Sequence, residues 1–256
     1  MRVGICTSVD QIQVMEEVGF DYIEPAVVSI VQMTESDFKE VLCKVRDANI
    51  SCEVFNILFP GHIRLVGPEV DIDHIKEYLK EAFEKIVQLG ARIVVFGSGG
   101  ARRIPDGMTF EDGWNDLIRT ARVVGEVASQ YNITIAMEPL NKKETNILNS
   151  ISEGVRFVKD VDHPNVRLLA DFYHMRMEGE SMDVIQQTTS HILVHTHIAR
   201  SQDRGYPIKA DEDIYSQFFS NLKEIDYKGR ISIEGNTKDI IKEGHIALEL
   251  FRELGL

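Results

Sequence analysis

The chain has 256 residues, of which 43% are apolar, so it is long enough for one large buried core and short for two ordinary domains. Its 41 Asp and Glu residues outnumber 28 Lys and Arg, and the formal net charge of -13 opposes binding to a nucleic acid or an anionic membrane surface. We therefore expect a small neutral or metal-bound ligand, and neither a nucleic acid nor a membrane as a partner.

Short apolar runs alternate along the chain with longer segments of helical periodicity. The predicted strands are residues 2–6, 22–27, 51–56, 92–97, 134–140, 166–172, 192–198 and 230–235. The predicted helices lie near residues 8–18, 35–48, 71–89, 109–130, 150–161, 181–190, 211–225 and 238–254. Strict alternation of eight strands with eight helices predicts an α/β fold, a single (β/α)8 TIM barrel over residues 1–256. An open, doubly wound sheet is the alternative architecture.

Residues at the predicted helix ends agree with this pattern. Gly19, Gly90 and Gly229 follow predicted helices, where a left-handed cap lets the chain reverse. Asp71 and Asp211 precede predicted helices and are candidate N-caps. These positions predict where the helices begin and end.

Ionisable residues lie near the ends of the last four predicted strands. Strand five leads to Glu138, strand six to Asp171 and strand eight to Glu234, while strand seven carries both His195 and His197. Barrel active sites form at the C-terminal ends of the strands, and burying charges there is costly unless they are paired or metal-bound. Because His197 lies nearer the strand end, we predict that it joins the three carboxylates as a metal ligand. His195 is predicted to pack deeper in the barrel.

Each of these residues also has an ordinary structural explanation. A lone carboxylate at a strand end is about as often a helix cap, and a lone histidine is more often a core residue with its hydrogen bonds satisfied. Recurrence at the same level on four successive strands favours a shared metal. Glu24, on strand two, fits a pocket carboxylate and a helix cap equally well.

The predicted ligand set determines which metals fit. Three carboxylates and one imidazole make a hard, oxygen-rich site that suits Mn²⁺ or Mg²⁺ better than a structural zinc. Mn²⁺ is the first choice, Mg²⁺ and Co²⁺ are further candidates, and Zn²⁺ stays open.

Four motifs carry a resemblance to a known family. They are Glu138-Pro139-Leu140-Asn141-Lys142-Lys143-Glu144, Asp171-Phe172-Tyr173-His174, the strand-seven His197, and Ile231-Ser232-Ile233-Glu234. Over essentially its whole length the chain resembles the xylose isomerase-like barrel superfamily, in the sugar phosphate isomerase/epimerase branch that includes the ketose 3-epimerases of the tagatose and psicose type.

The resemblance implies specific roles for these residues. One manganese-like ion would be held by Glu138, Asp171, His197 and Glu234, with the two glutamates also acting as the acid and base pair. Three further residues would contact the sugar, namely Glu144, His174 and Arg204. The resemblance thus implies an isomerase or epimerase that moves a proton of a small ketose, or ketose phosphate, through an enediolate. A homodimer and a homotetramer are both compatible with such an enzyme. Because the N-terminus shows no signal-peptide hydrophobic region and no apolar stretch approaches membrane-spanning length, we expect a cytoplasmic protein.

Several alternatives remain open at this stage. A keto-inositol (inosose) dehydratase or isomerase, or a hydroxypyruvate isomerase, would use the same metal site. An apurinic endonuclease-like repair enzyme would bind three zinc ions and would need additional histidine ligands after strands two to four. The sequence has no histidine at those strand ends. A noncatalytic subunit that depends on a partner is a further alternative. The Gly97–Gly100 run, with Arg102 and Arg103, fits a phosphate contact or a plain turn.

Overall fold

Eight parallel strands form the centre of the molecule in the computed structural model, which describes residues 1–256. The strands are β1 (Arg2–Cys6), β2 (Tyr22–Glu24), β3 (Val54–Phe55), β4 (Ile93–Phe96), β5 (Thr134–Met137), β6 (Val166–Asp171), β7 (Leu193–Ile198) and β8 (Arg230–Ile233). Their order is β2-β1-β8-β7-β6-β5-β4-β3. Parallel bridges from Tyr22 to Ser51 and from Ala26 to Asn56 nearly close the barrel. The predicted TIM barrel is confirmed, and the open doubly wound sheet is wrong.

Helices surround the barrel and connect its strands. They are α1 (Ile12–Val18), α2 (Val27–Val31), α3 (Glu35–Asp47), α4 (Ile72–Gln88), α5 (Gly99–Arg102), α6 (Phe110–Gln130), α7 (Ile151–Val161), α8 (Phe172–Met177), α9 (Tyr215–Glu224) and α10 (Ile240–Glu253). Two 3-10 helices span Val9–Gln11 and Met182–Gln187. None of the helices combines the length and the hydropathy that crossing a membrane requires.

Several element boundaries differ from those predicted. Strand β2 ends at Glu24 because Pro25 has no N–H to continue a strand ladder, and the chain then turns into α2. The predicted strand 51–56 is reduced to β3, with only isolated bridges at Ser51 and Asn56. The predicted helix 181–190 is a shorter 3-10 helix, and α8 precedes it as a helix that the sequence did not reveal.

The predicted helix ends are confirmed in part. Gly19 and Gly90 adopt φ values of 103° and 106°, and Asp71 accepts hydrogen bonds from two backbone amides of α4. Gly229 was predicted wrongly, since the left-handed residue after α9 is Asp226, at φ 53°. Asp211 caps no helix, because α9 begins only at Tyr215.

Apolar side chains fill the interior of the barrel below the C-terminal ends of the strands. Most of the apolar core lies between the strands and the helices, while a smaller cluster occupies the barrel itself: Tyr22, Val54, Ile93, Val95, Ala136 and Leu169. Such layers of inward side chains leave no channel through the barrel. Polar side chains at the C-terminal ends of the strands therefore rest on a packed floor.

Candidate metal centre and active site

Four side chains converge at the C-terminal end of the barrel. Glu138, Asp171, His197 and Glu234 each offer one ligand atom, and these atoms all lie within 4.8 Å of one another. The imidazole Nδ1 of His197 is 3.1 Å from Glu138 Oε1, 3.9 Å from Asp171 Oδ2 and 3.8 Å from Glu234 Oε2. The side chains that the sequence selected from four strands therefore surround one point.

Strand register and one glycine explain this convergence. Asp171 pairs with His197 across β6 and β7, so the two side chains lie at the same level of the barrel. Phe96 and Met137 pair at the ends of β4 and β5, so Gly97 and Glu138, the next residue of each chain segment, lie side by side. A Cβ atom at Gly97 would lie only 2.2 Å from Glu138 Oε2. The glycine leaves the space that the carboxylate occupies.

The cluster is electrostatically strained without a cation. Burial, and then the neighbouring Glu234 carboxylate, raise the pKa of Asp171 to about 6. Burial also raises the pKa of Glu138, and Glu234 adds to that rise. Burial opposes protonation of His197, but Glu24 and Glu234 raise its pKa well above the ordinary value. A divalent cation would relieve the repulsion among these carboxylates, so this donor set fits a metal ion.

Glu24 lies beneath the cluster and contacts both strand-seven histidines. Its Oε1 is 2.8 Å from His197 Nε2, and its Oε2 is 2.8 Å from His195 Nε2. Ser232 donates a 2.6 Å hydrogen bond to the same Oε2. Burial alone would raise the pKa of Glu24, but the two histidines hold it well below the usual range. The helix-cap alternative is wrong, since Ala26 is the N-cap residue of α2.

His174 is held in one orientation by Asn141. The backbone amide of Asn141 donates to His174 Nδ1 at 3.2 Å, and its side-chain amide lies 2.8 Å from the same nitrogen. The proton of the neutral ring is therefore on Nε2. Burial lowers the pKa of His174, which favours this neutral ring. The buried Nε2 has no hydrogen-bond partner and lies 3.8 Å from Asp171 Oδ2, beside the carboxylate cluster.

Arg204 joins two carboxylates at the mouth of the site. Its guanidinium donates to Glu144 Oε1 at 3.1 Å and to Glu234 Oε2, and it lies 4.8 Å from the centre of the Tyr173 ring. Thus the three predicted sugar contacts, Glu144, His174 and Arg204, all lie at this end of the barrel.

Sequence reasoning missed two supporting residues and left the role of a third undecided. The role of Glu24 was left undecided, although it lies at a strand end like the predicted ligands. Asn141 and Tyr173 were noted only as parts of motifs. Arg102 was a candidate phosphate contact, but it is fully buried and donates to the backbone carbonyls of Phe96 and Glu138 at 3.3 and 2.7 Å. The phosphate hypothesis for Arg102 is therefore wrong.

The fold and the cluster define a TIM-barrel protein whose charged side chains gather at the C-terminal ends of the strands, where enzymes of this architecture have their active sites. A family profile described as "Xylose isomerase-like TIM barrel" matches residues 12–252. The chain belongs to this family, which confirms the resemblance seen in the sequence.

Sugar epimerases are among its relatives. An L-ribulose 3-epimerase from Methylomonas sp. (strain DH-1) is 28% identical over 227 residues, which cover 87% of this chain and 76% of the relative. A 3-dehydro-D-guloside 4-epimerase from Escherichia coli (strain K12) is 24% identical over 236 residues, 90% of this chain and 87% of the relative. The crystal structure of a D-psicose 3-epimerase with D-tagatose, from Clostridium cellulolyticum H10, superposes with a TM-score of 0.87 at 21% identity and 99% coverage of both chains. At that identity the superposition supports the shared fold alone.

Proposed function

We propose that this protein is a divalent-metal-dependent epimerase of small keto sugars. One observation carries the proposal, namely the convergence of Glu138 and Glu234 with Asp171 and His197 around a single point. The names of the relatives, which are 3-epimerases and a 4-epimerase of sugars, support the class of reaction.

The four converging side chains would hold the metal ion. Their oxygen-rich donor set favours Mn²⁺, with Mg²⁺ and Co²⁺ next. When bound, the ion would polarise the substrate carbonyl and stabilise the negative charge that develops as the adjacent carbon loses its proton.

The two glutamates would act as the acid and base pair. If each faces one side of the reacting carbon, one removes the proton and the other returns a proton to the opposite side, so that the centre is inverted. His174 would donate its Nε2 proton to a substrate oxygen, because that proton has no partner within the protein. Glu144 and Arg204 would orient the sugar hydroxyls at the mouth of the site.

Glu24 would position the imidazole of His197. By accepting a hydrogen bond from Nε2, it places the proton on that nitrogen and leaves the Nδ1 lone pair directed towards Glu138, Asp171 and Glu234. This is the arrangement in which a carboxylate fixes the tautomer of a metal-binding histidine.

Replacing Glu24 by glutamine is expected to weaken Mn²⁺ binding by about 10- to 100-fold, because the amide no longer imposes this tautomer. Titration calorimetry measures the affinity, and long-range ¹⁵N–¹H NMR reports which nitrogen of His197 is protonated. Glu53→Gln is the matched control, since Glu53 is also buried but pairs with Arg2 and Arg230 instead of the cluster. Equal loss of affinity in both variants would contradict a positioning role.

The reaction itself is tested by incubating the Mn²⁺-loaded protein with ketopentoses, ketohexoses, a keto-inositol and hydroxypyruvate. NMR then follows new products. Inversion at a carbon next to the carbonyl of a ketose supports the proposal. Loss of water from the keto-inositol, or isomerisation of hydroxypyruvate, in the absence of ketose inversion would instead identify one of the alternative reactions.

A further inference from the structure

The loop that follows β7 folds back on itself around Arg204. The backbone amide of Arg204 donates to the carbonyl of Arg200 at 2.9 Å, and the amide of Arg200 donates to the carbonyl of Gly205 at 2.8 Å. The amide of Asn236 donates to the carbonyl of Arg204 at 2.6 Å, and Gly205 forms a parallel bridge with Asn236. Residues 200–205 therefore form a closed turn attached to the segment after β8, and we call it the Arg204 turn.

Arg204 has a strained backbone conformation within this turn. Its φ of 54° lies in the left-handed region, which is unfavourable for a residue that has a Cβ atom. Such a conformation persists only where the surrounding contacts impose it, and it gathers at functional sites. Contacts within the Arg204 turn must therefore offset the strain.

A carboxylate clamp supplies such contacts. Asp203 Oδ1 accepts hydrogen bonds from the backbone amide of Gly205 at 2.9 Å and from Arg200 Nε at 2.8 Å, and Asp203 Oδ2 accepts one from Arg200 Nη2 at 3.0 Å. Paired hydrogen bonds between a guanidinium and a carboxylate are stronger than those between neutral groups and fix the geometry of both. Arg200 Nη1 also donates to Glu212 Oε2 at 3.1 Å. The clamp thus joins the first and last residues of the Arg204 turn.

Two glycines leave the space that the clamp and the turn occupy. A Cβ atom at Gly205 would lie 2.9 Å from Asp203 Oδ1, and one at Gly235 would lie 2.8 Å from the carbonyl oxygen of Arg204. Neither position could carry a side chain without displacement of the turn. The local sequence therefore lets the Arg204 turn lie directly against the segment that carries Glu234.

The clamp lies outside the core, whereas the residue that it encloses reaches the proposed active site. The side chain of Asp203 is 59% exposed, so its removal should cost little stability of the fold. The guanidinium of Arg204 contacts Glu144 and Glu234 at the mouth of the site. Loss of the clamp should therefore affect that site more than it affects the stability of the protein.

We infer that Asp203 is a positioning residue for Arg204. Together with Arg200, it locks the left-handed turn, and the turn directs the guanidinium of Arg204 across the mouth of the site towards the sugar. The inference rests on the proposed function for the contact between Arg204 and the sugar, whereas the clamp and the turn are independent of the reaction.

Two NMR measurements without substrate test the clamp in the Asp203→Ala protein, with diamagnetic Mg²⁺ present. Hydrogen exchange of the Arg204 and Gly205 amides is expected to accelerate by about tenfold or more, because hydrogen bonds to a charged group are removed. The Nε–H signal of Arg204, assigned from its absence in Arg204→Ala, should shift and broaden, because the guanidinium is no longer held against Glu144 and Glu234. If either the exchange rates or the Arg204 signal stay unchanged, the inference is overturned.

Matched variants separate the clamp from a general loss of charge. Glu81→Ala is the control, since the Glu81 side chain is 57% exposed and pairs with Lys85 in the outer helix α4. It should leave both NMR measurements unchanged, and changes equal to those of Asp203→Ala would count against the inference. Asp203→Asn keeps an oxygen that can accept from the Gly205 amide but loses the charge that pairs with Arg200. Its exchange rates should lie between those of Asp203→Ala and the unaltered protein.

A double-mutant cycle connects the clamp to the sugar, with D-fructose as a ketohexose and L-ribulose as a ketopentose. In the Mn²⁺-loaded protein, Asp203→Ala is expected to raise KM by about tenfold and to lower kcat less, because it displaces a group that binds the sugar. In the Arg204→Ala background, the same substitution should have no further effect. An equal rise of KM in both backgrounds overturns the inference, because Asp203 would then act on the fold and not through Arg204.

The two proposals fail in different ways. Changes in both NMR measurements without binding or turnover of any ketose support the positioning of Arg204 and contradict the proposed epimerisation. Turnover of a ketose with the same KM in Asp203→Ala and in the unaltered protein supports the epimerisation and contradicts the positioning role.

Discussion

Replacing Glu138 or Glu234 by glutamine is expected to lower kcat for epimerisation by about 10²–10⁴-fold, the usual contribution of a positioned acid or base. Glutamine preserves the size of the side chain and one oxygen that can face the metal, so Mn²⁺ binding should survive. The loss then reports on proton transfer, because the amide cannot take up or return the proton.

Exchange with solvent deuterium separates the two roles. If the glutamates face opposite sides of the reacting carbon, each variant retains one base, which can remove a proton and return deuterium to the same side. The Glu138→Gln protein should then label one epimer without inversion, and the Glu234→Gln protein should label the other. NMR in D₂O measures the label at that carbon.

A site carboxylate with no proposed proton transfer provides the control. Glu144 contacts Asn141 and Arg204, so Glu144→Gln should raise KM more than it lowers kcat, with both epimers still interconverting. Labelling of both epimers in each single variant at Glu138 and Glu234 would rule out the two-base arrangement.

The location of the proposed metal centre could be predicted because it follows from the fold. Parallel strands of a barrel end at one face, so Glu138, Asp171, His197 and Glu234 had to approach one another once the strands were recognised. Alternating side-chain direction places His195 and His197 on the same side of β7, and the position of His197 nearer the C-terminal end of the strand then distinguished it from the deeper His195.

The direction in which each group points could not be predicted, because it depends on residues remote in the sequence. Nδ1 of His197 faces the carboxylates since Nε2 is bound by Glu24, which lies 173 positions away. His174 is oriented by Asn141, 33 positions away, and Arg102 turns inward because carbonyls of Phe96 and Glu138 are within reach. No local pattern encodes these contacts.

Removal of the metal by a chelator is expected to abolish activity, and Mn²⁺ should restore it with an affinity that rises with pH. The metal-free cluster holds protons, because the pKa of Asp171 is raised to about 6 and those of Glu138 and His197 are also raised. Metal ligands must be deprotonated, so protons compete with the ion. Acidification favours the protonated groups, and affinity should therefore fall by about tenfold per pH unit for each proton displaced.

Calorimetry in buffers of different ionisation enthalpy counts the protons released when Mn²⁺ binds. The Asp171→Asn protein should bind Mn²⁺ more weakly and should release fewer protons near pH 6, because its amide holds no proton that the metal must displace. Asp213→Asn is the control, since Asp213 is a nearby carboxylate that pairs with Arg176 outside the cluster. An affinity independent of pH between about 5 and 8 would show that the four side chains do not act together as the metal site, because displacement of their protons makes binding steeply pH-dependent.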